Sequence, residues 1–346
     1  MDSPVKSAVT AEDVARLAGV SQSAVSRTFT PGASVSARMR QRVHDAAVRL
    51  GYHPNAHARS LTTGRSRIVG LVLSSLDNLL YPAVTERLAL RLQQDGYHLL
   101  MFVSEQRDSD DLVRQILQYR VDGIVLGATT LSSGLAQRCA EARIPVVLFN
   151  RVMATSGAVS SVRSDNVGGA AEIARFLVAG GHQRIAYIAG REDSSTNLER
   201  ERGFAEGLAA LGQRVQTRAV GNYDARSARE AALELFSRAR NRPDAVFVAG
   251  DLMALSVMDT LRHELGLRVP EDVSVVGFDG VPQAAWPSYQ LTTFEQPVEP
   301  MVDAAVRLLQ GSLAGDAPSA VNDVIVPGRL IQRTSARAPQ PGRSTR

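Results

Sequence analysis

The side chains Gln22, Ser23, Ser26 and Arg27 are the first in the chain whose types and spacing suit a chemical task. At helical spacing they share one polar face, while Ala24, Val25 and Phe29 share an apolar one. Glutamine pairs a donor with an acceptor and arginine presents a fork of donors, the groups that read base edges in the major groove of DNA. Ser21 stands where an N-cap for such a helix belongs. A second set of polar residues sits just past apolar runs. Ser74, Ser75, Asp77 and Asn78 follow IVGLVL, Asn150 and Arg151 follow IPVVLF, and Arg200 opens a helix after RIAYIAG. Asp251 follows FVAG, and Asp279 follows VVGF. Gathered at one cleft, these amides, carboxylates and hydroxyls would bind the vicinal hydroxyls of a polyhydroxylated ligand. Bland readings stand beside these: Arg200 in LERER also fits a solvated helix charge, and Asp279 a turn before Gly280.

Other chemistries lack their motifs. The chain has no Walker A loop, no G-x-G-x-x-G after a strand, no G-x-S-x-G elbow and no H-E-x-x-H, and its 6 histidines do not fall at metal-ligand spacing. No enzyme activity, cofactor or metal is expected. Cys139 is the single cysteine, which excludes an intrachain disulfide and suits a reducing cytoplasm, with the thiol buried and inert. MDSPVKSAVT lacks the apolar core of a signal peptide, and no apolar run approaches a membrane span, so a cytoplasmic protein with no membrane partner is expected. That also argues against an exported solute-binding protein.

The elements that must position the first set are short helices. Val14 and Leu17 recur at helical spacing, Ala18-Gly19-Val20 makes a tight turn, and the polar-faced helix follows. Ser36 caps a third helix over Ala37 to Leu50, with Met39, Val43, Ala46, Ala47 and Leu50 on one face and Gly51 ending it. Residues 1 to 67 hold 10 of the Lys and Arg residues against 4 Asp and Glu, so the basic excess of a chain with net charge +4 sits on this end. Such a head gains sequence-independent affinity for phosphate backbones. Asn55 to Thr62 carries one large apolar side chain, Leu61, and reads as a hinge that orders on DNA.

From Ile68 the pattern changes to buried strands alternating with amphipathic helices, hence parallel sheets covered on both faces. IVGLVL, HLLMFV, DGIVLG and IPVVLF form one set, and RIAYIAG, DAVFVAG and VSVVGFDG another, which predicts two lobes with a ligand cleft beyond the strand ends. The expected domains are residues 1–52, a helix-turn-helix head; 53–67, a hinge; 68–335, a two-lobe effector-binding and dimerisation domain; and 336–346, a disordered tail.

The segments DVARLAGVSQSAVSRTF, VSARMRQRVHDAAVRLGYHPNAHARSL and VVGFDG resemble the LacI/GalR family of bacterial transcriptional regulators, from Thr10 to about Ile331. The resemblance implies an all-α helix-turn-helix head with a hinge helix, and a C-terminal α/β core of the type I periplasmic-binding-protein-like kind. It implies three chain crossings between lobes, lobe one being about 68 to 162 plus a segment near 297 to 320. It puts Gln22, Ser23 and Arg27 at base edges, Thr10 and Ser36 at phosphates, Asn55 and Ala58 along the hinge, and Leu61 in a minor-groove step. In the cleft it singles out Arg200 and Asp279, with Tyr223 as a stacking ring and Gln296 as a further ligand residue. Tyr223 also fits the plainer role of covering an apolar edge.

The sequence departs from the family pattern. Asn150 replaces the usual acid, Gly250-Asp251 replaces an Asn-Asp pair, and the SNPFF-like segment reads DNLLY. Loss of a carboxylate beside a retained Arg200 favours a sugar acid over a neutral sugar. The expected partners are therefore a palindromic double-stranded operator, a carbohydrate or sugar acid effector, and a second copy of the chain in a homodimer that acts as a repressor.

Overall fold

The structure is a computed structural model and describes residues 9–30, 32–53, 64–74, 76–104, 109–127, 132–152, 159–314 and 322–339. The chain forms two compact units, Met1–Ser66 and Arg67–Arg346.

The first unit holds α1 (Ala11–Ala18), α2 (Gln22–Thr28) and α3 (Ala37–Leu50). Local chemistry sets each boundary. Thr10 and Asp13 form a reciprocal capping box at the start of α1, and Ser21 and Ser36 accept from Ala24 N and Met39 N to open the other two. Gly19 takes φ 63°, a left-handed value, and closes α1. Arg42 on α3 donates to the carbonyls of Ala18 and Gly19, answering acceptors that the helix end leaves open. Val14, Ala15, Ala18, Val25, Val43, Ala46 and Ala47 are the core, with Phe29, Met39, Leu50 and Tyr52 packed on it. Leu17, at helical spacing from Val14, is nevertheless 43% exposed. At helical pitch, Val14 and Ala18 own the core face and Leu17 flanks it.

The second unit contains two six-stranded sheets. Lobe one has β1 (Ile68–Leu73), β2 (His98–Val103), β3 (Gly123–Gly127), β4 (Val146–Phe149), β5 (Ser160–Ser164) and β11 (Asp323–Val326), all parallel, in the order β11-β5-β4-β3-β1-β2. Its helices are α4 (Leu80–Gln94), α5 (Ser109–Gln118), α6 (Ser132–Glu141) and α11 (Val298–Ala314). Side chains alternate across the sheet: Val69, Leu71 and Leu73 pack with Leu80, Val84, Leu88 and Leu309, whereas Val72 packs with Leu112, Ile116, Leu135 and Cys139.

Lobe two has β6 (Ile185–Ala189), β7 (Thr217–Val220), β8 (Ala245–Val248), β9 (Ser274–Asp279), β10 (Thr292–Glu295) and β12 (Arg329–Ile331), in the order β12-β10-β9-β8-β6-β7. Its helices are α7 (Asn166–Ala179), α8 (Ser195–Ala209), α9 (Ala225–Phe236) and α10 (Asp251–Asp259), the last running on as a π-helix through Thr260–Glu264. Tyr187, Phe204, Phe247, Phe278 and Phe294 form a run of ring contacts through this lobe, with centroids 4.9 to 6.3 Å apart.

The chain crosses between lobes after β5, after β10 and after β11, the three crossings that the resemblance implied. Both lobe-one segments run further than expected, to Ser164 and to Val326. Two features differ from the sequence reading. β12 pairs antiparallel with β10 at the sheet edge, where a short strand can reverse without a crossover helix. Ala336 is buried and Arg337 N donates to Ser274 Oγ, so order extends past 335 into the stretch expected to be a disordered tail.

Candidate functional site

The head presents the polar face that the sequence predicted. Gln22, Ser23, Ser26 and Arg27 are exposed, while Ala24, Val25 and Thr28 are buried. Arg27 Nε donates to Ser23 O at 3.4 Å, and Ser21 Oγ lies 3.0 Å from Ser23 Oγ, so the face is held by local bonds rather than by the core. Thr10 and Ser36 are exposed N-caps, which leaves helix N-termini open to an anion. Asn55, Ala58 and Leu61 lie outside the described residues.

In the second unit, residues past the strand ends of the two lobes come close together: Val152 N donates to Ser195 Oγ at 3.2 Å, and Tyr81 feels the charges of Arg151, Asp279 and Arg200. Arg200 on α8 is 2% exposed, the largest fully buried side chain, and the solvated helix charge of the plainer reading is therefore excluded. Its Nε donates to Asn166 Oδ1 at 2.9 Å and its NH1 to Ala249 O at 2.5 Å. NH1 also stands 3.5 Å from Asp279 Oδ1, and the guanidinium lies 3.8 Å from the centre of the Phe278 ring. Hydrogen bonds, a counter-charge and a ring face together offset the burial of this cation.

Asp279 ends β9 with φ 135°, and Gln296, past β10, donates Nε2 to its Oδ1 at 2.6 Å. Gln296 Oε1 is buried without a hydrogen-bond partner among the described residues, as is Asn150 Oδ1. Asn150 (φ 56°) and Tyr223 (φ 57°) join Asp279 in carrying positive φ without being glycine. Such conformations cost energy and concentrate where a site requires them. The Tyr223 ring lies over Gly190, where any Cβ would collide with it, and its hydroxyl is 3.2 Å from Thr196 Oγ1.

Other expected cleft residues have structural duties. Asp251 is fully buried and accepts from Gly280 N at 2.8 Å, Val281 N at 2.9 Å and Thr293 Oγ1 at 2.6 Å, so its carboxylate braces the loop after Asp279. Burial first, and the Asp279 charge second, push its pKa up to about 7. Burial also raises Asp279, against the Arg200 charge. Asn78 accepts from Leu80 N at 3.0 Å and opens α4. Ser74 is half-buried at the end of β1.

Sequence reasoning missed Tyr81 and Thr196. Tyr81 stands in the quoted DNLLY and is 2% exposed; burial holds its phenol well above the usual range, and it also feels the charges of Arg151, Asp279 and Arg200. The tyrosine itself was the signal, since a ring just inside a helix after a strand end points back over that end. The Asp279 ion pair also changes the charge argument. Arg200 is neutralised from within lobe two, so the missing acid at Asn150 does not leave Arg200 free.

Two family models match the chain: bacterial regulatory proteins of the lacI family over residues 10–55, and a periplasmic binding protein-like domain over residues 174–336. The regulator CelR of Thermobifida fusca is 34% identical over 334 residues, 94% of this chain and 98% of that protein. The repressor PurR of Vibrio vulnificus is 32% identical over 296 residues, 83% of this chain and 87% of its own length. Among solved structures, the lac repressor dimer bound to operator and the anti-inducer ONPF matches with a TM-score of 0.84 at 28% identity, over 96% of this chain and 100% of that one. A CelR–cellobiose complex matches with a TM-score of 0.72 at 32% identity, over 95% and 100%. With identity at this level across nearly the whole chain, and the helix-turn-helix and two-lobe core in place, the protein belongs to the LacI family of bacterial regulatory proteins.

Proposed function

We propose that this protein is a repressor of transcription that binds a palindromic double-stranded operator as a homodimer and changes its operator affinity when a small molecule enters the cleft. Gln22, Ser23 and Arg27 read base edges, flanked by Ser21 and Ser26, while Thr10 and Ser36 meet phosphates. Asn55, Ala58 and Leu61 belong to the hinge, with Leu61 as a minor-groove wedge. Two heads on one dimer axis would set the half-site spacing.

The observation that carries the effector half is the pair of buried acceptors without partners, Asn150 Oδ1 and Gln296 Oε1. Buried polar atoms are almost always bonded, and two empty acceptors, one of them on the Gln296 that holds Asp279, call for a ligand rich in donors. Hydroxyl groups supply them, so the effector is read as a carbohydrate or sugar acid. The solved CelR relative holds cellobiose, which agrees with that class. Asn150, Arg200, Tyr223, Asp279 and Gln296 would touch the ligand; Ser74 flanks it, and Asn78 and Asp251 hold the elements that carry it. The relatives are regulators and not enzymes, which supports reading the cleft as a sensor.

The test is fluorescence anisotropy on an operator selected from random palindromes, with and without sugars that raise the melting temperature. The expected result is nanomolar operator binding that a hit shifts at least several-fold. Sequence-independent binding, or operator affinity indifferent to a bound sugar, would overturn the reading.

A further inference from the structure

The helix assigned to base reading, α2, is short and lightly held. Of its 7 residues only Ala24, Val25 and Thr28 are buried. Among the described residues no hydrogen bond joins α2 to α1 or α3: Arg27 donates to Ser23 O, Thr28 to Ala24 O, and Ser21 Oγ meets Ser23 Oγ. Both ends of α2 are instead gripped from the side of α3. At the exit, the Phe29 ring centre lies 5.1 Å from that of His44 and 5.9 Å from that of Tyr52. At the entry, Arg42 NH2 donates to Ala18 O and, at 3.2 Å, to Gly19 O. Only Val20 separates Gly19 from Ser21, the cap of α2.

The end of α1 is closed without Arg42. Val20 N donates to Ala15 O at 3.0 Å and Gly19 N to Arg16 O at 3.4 Å, the paired bonds with which a left-handed glycine ends a helix. Gly19 is exposed, so water could serve its carbonyl. What the guanidinium adds is a fixed link from α3 to the turn, favoured by the negative end of the α1 dipole. A Cβ on Gly19 would stand 2.8 Å from Arg42 NH2, so the glycine also leaves that link its space.

We infer that Arg42 is a positioning residue for base reading: it fixes the entry of α2, and with it the place of Gln22 and Ser23 at the groove, without touching DNA. The inference rests on α2 being the base-reading helix. With the exit pinned at Phe29, loss of the link lets α2 swing about that end. The displacement is then greatest at Gln22 and smallest at Arg27.

The experiment is fluorescence anisotropy of the full chain on an operator selected from random palindromes and on a random-sequence duplex, over a range of salt. Arg42→Gln should weaken operator binding about ten-fold, the size of one lost hydrogen bond to a charged group, and leave the random duplex within about two-fold. The slope of log affinity against log salt should not change, whereas a lost phosphate contact would lower it by about one. Arg42→Lys keeps a donor for the two carbonyls and should restore part of the operator preference. A double-mutant cycle gives the sharper readout. Arg42→Gln should be non-additive with Gln22→Ala, whose base contact is already gone, and additive with Arg27→Ala. Amide exchange in α1 and α3 should stay as protected as in the wild type, which separates a displaced α2 from an unfolded head. Equal losses on both duplexes, a lowered salt slope, additivity with Gln22→Ala, or lost protection in α1 and α3 would each overturn the inference. Operator preference that survives in Arg42→Gln sinks this inference alone. A wild type that does not prefer the operator sinks the base-reading proposal and this inference with it.

Discussion

Arg200 and Asp279 are a buried pair, and such pairs are fragile to single changes because the partner left behind is an uncompensated charge. Arg200→Met should cost about 3–5 kcal/mol in urea unfolding on that account. Adding Asp279→Asn should recover part of the loss while ligand binding stays absent; a single variant as stable as the wild type would show that the pair is not buried as a pair. Asp251 gives a pH dependence. Its folded pKa, near 7, lies above the ordinary carboxylate value near 4, so across that window the folded core keeps a proton that the unfolded chain has released. This contribution to stability is complete at the acid end and is lost as pH rises through about 7. In Asp251→Asn an amide oxygen can accept from Gly280 N and Val281 N, and its NH2 can donate to Thr293 Oγ1. The variant should fold and unfold with a flatter pH profile between 4 and 7, measured by denaturant melts; an unchanged slope would assign the proton elsewhere. At this scale the sequence told only part of the story. Arg200 and Asp279 were legible through a resemblance, but Asp251 looked the same as they do in sequence, a polar residue after a strand. Only the direction of its oxygens, toward backbone N–H groups, shows that it braces the loop.

Among elements, α2 separates stability from recognition along one short helix. Val25 is buried in the head core and Arg27 is exposed, so the two faces should answer different experiments. Arg27→Ala should leave the thermal melt unchanged and cost about 1–3 kcal/mol of operator binding, with relaxed preference at one base position. Val25→Ala should lower the melting temperature and weaken binding to every sequence alike. If Arg27→Ala weakens all sequences equally, the residue contacts phosphate rather than a base. The head helices were legible because caps, the turn glycine and helical periodicity agree over Thr10 to Gly51. The strands of the core were legible where they are continuous apolar runs. β5, reading SSVRS, was not, because it is polar along most of its length, with Ser161 and Arg163 both bonded to Asp323 on the neighbouring strand. β11 and β12 are short edge strands with no fully buried residue, so neither makes a continuous apolar run.

Across the whole second unit, a chain of polar contacts joins the lobe crossings to the cleft. Asp323 on β11 holds Arg163 on β5, and Arg163 NH1 crosses to Glu199 on α8 at 3.1 Å. Glu199 Oε2 accepts from Asn166 Nδ2 at 2.9 Å, and Asn166 Oδ1 accepts from Arg200 Nε. Arg200 then reaches Asp279, and Asp279 reaches Gln296. Because the Arg163–Glu199 ion pair spans both lobes, the chain of contacts connects the lobe angle to Arg200. Contiguity alone does not establish coupling, which is a free energy that both sites must feel. Glu199→Gln keeps the shape and the bond from Asn166 but removes the charge facing Arg163. Operator affinity without effector and effector affinity without operator should each change little. The factor by which effector alters operator affinity should shrink, by about 0.5–2 kcal/mol of coupling. Anisotropy titrations of wild type, Glu199→Gln, Arg163→Gln and the double variant, each with and without effector, would measure it, with the double variant no worse than either single one if the two act as a pair. A full-sized effector response in Glu199→Gln would mean that the lobes transmit closure through their packed apolar faces, with the polar chain serving only to hold Arg200 in place.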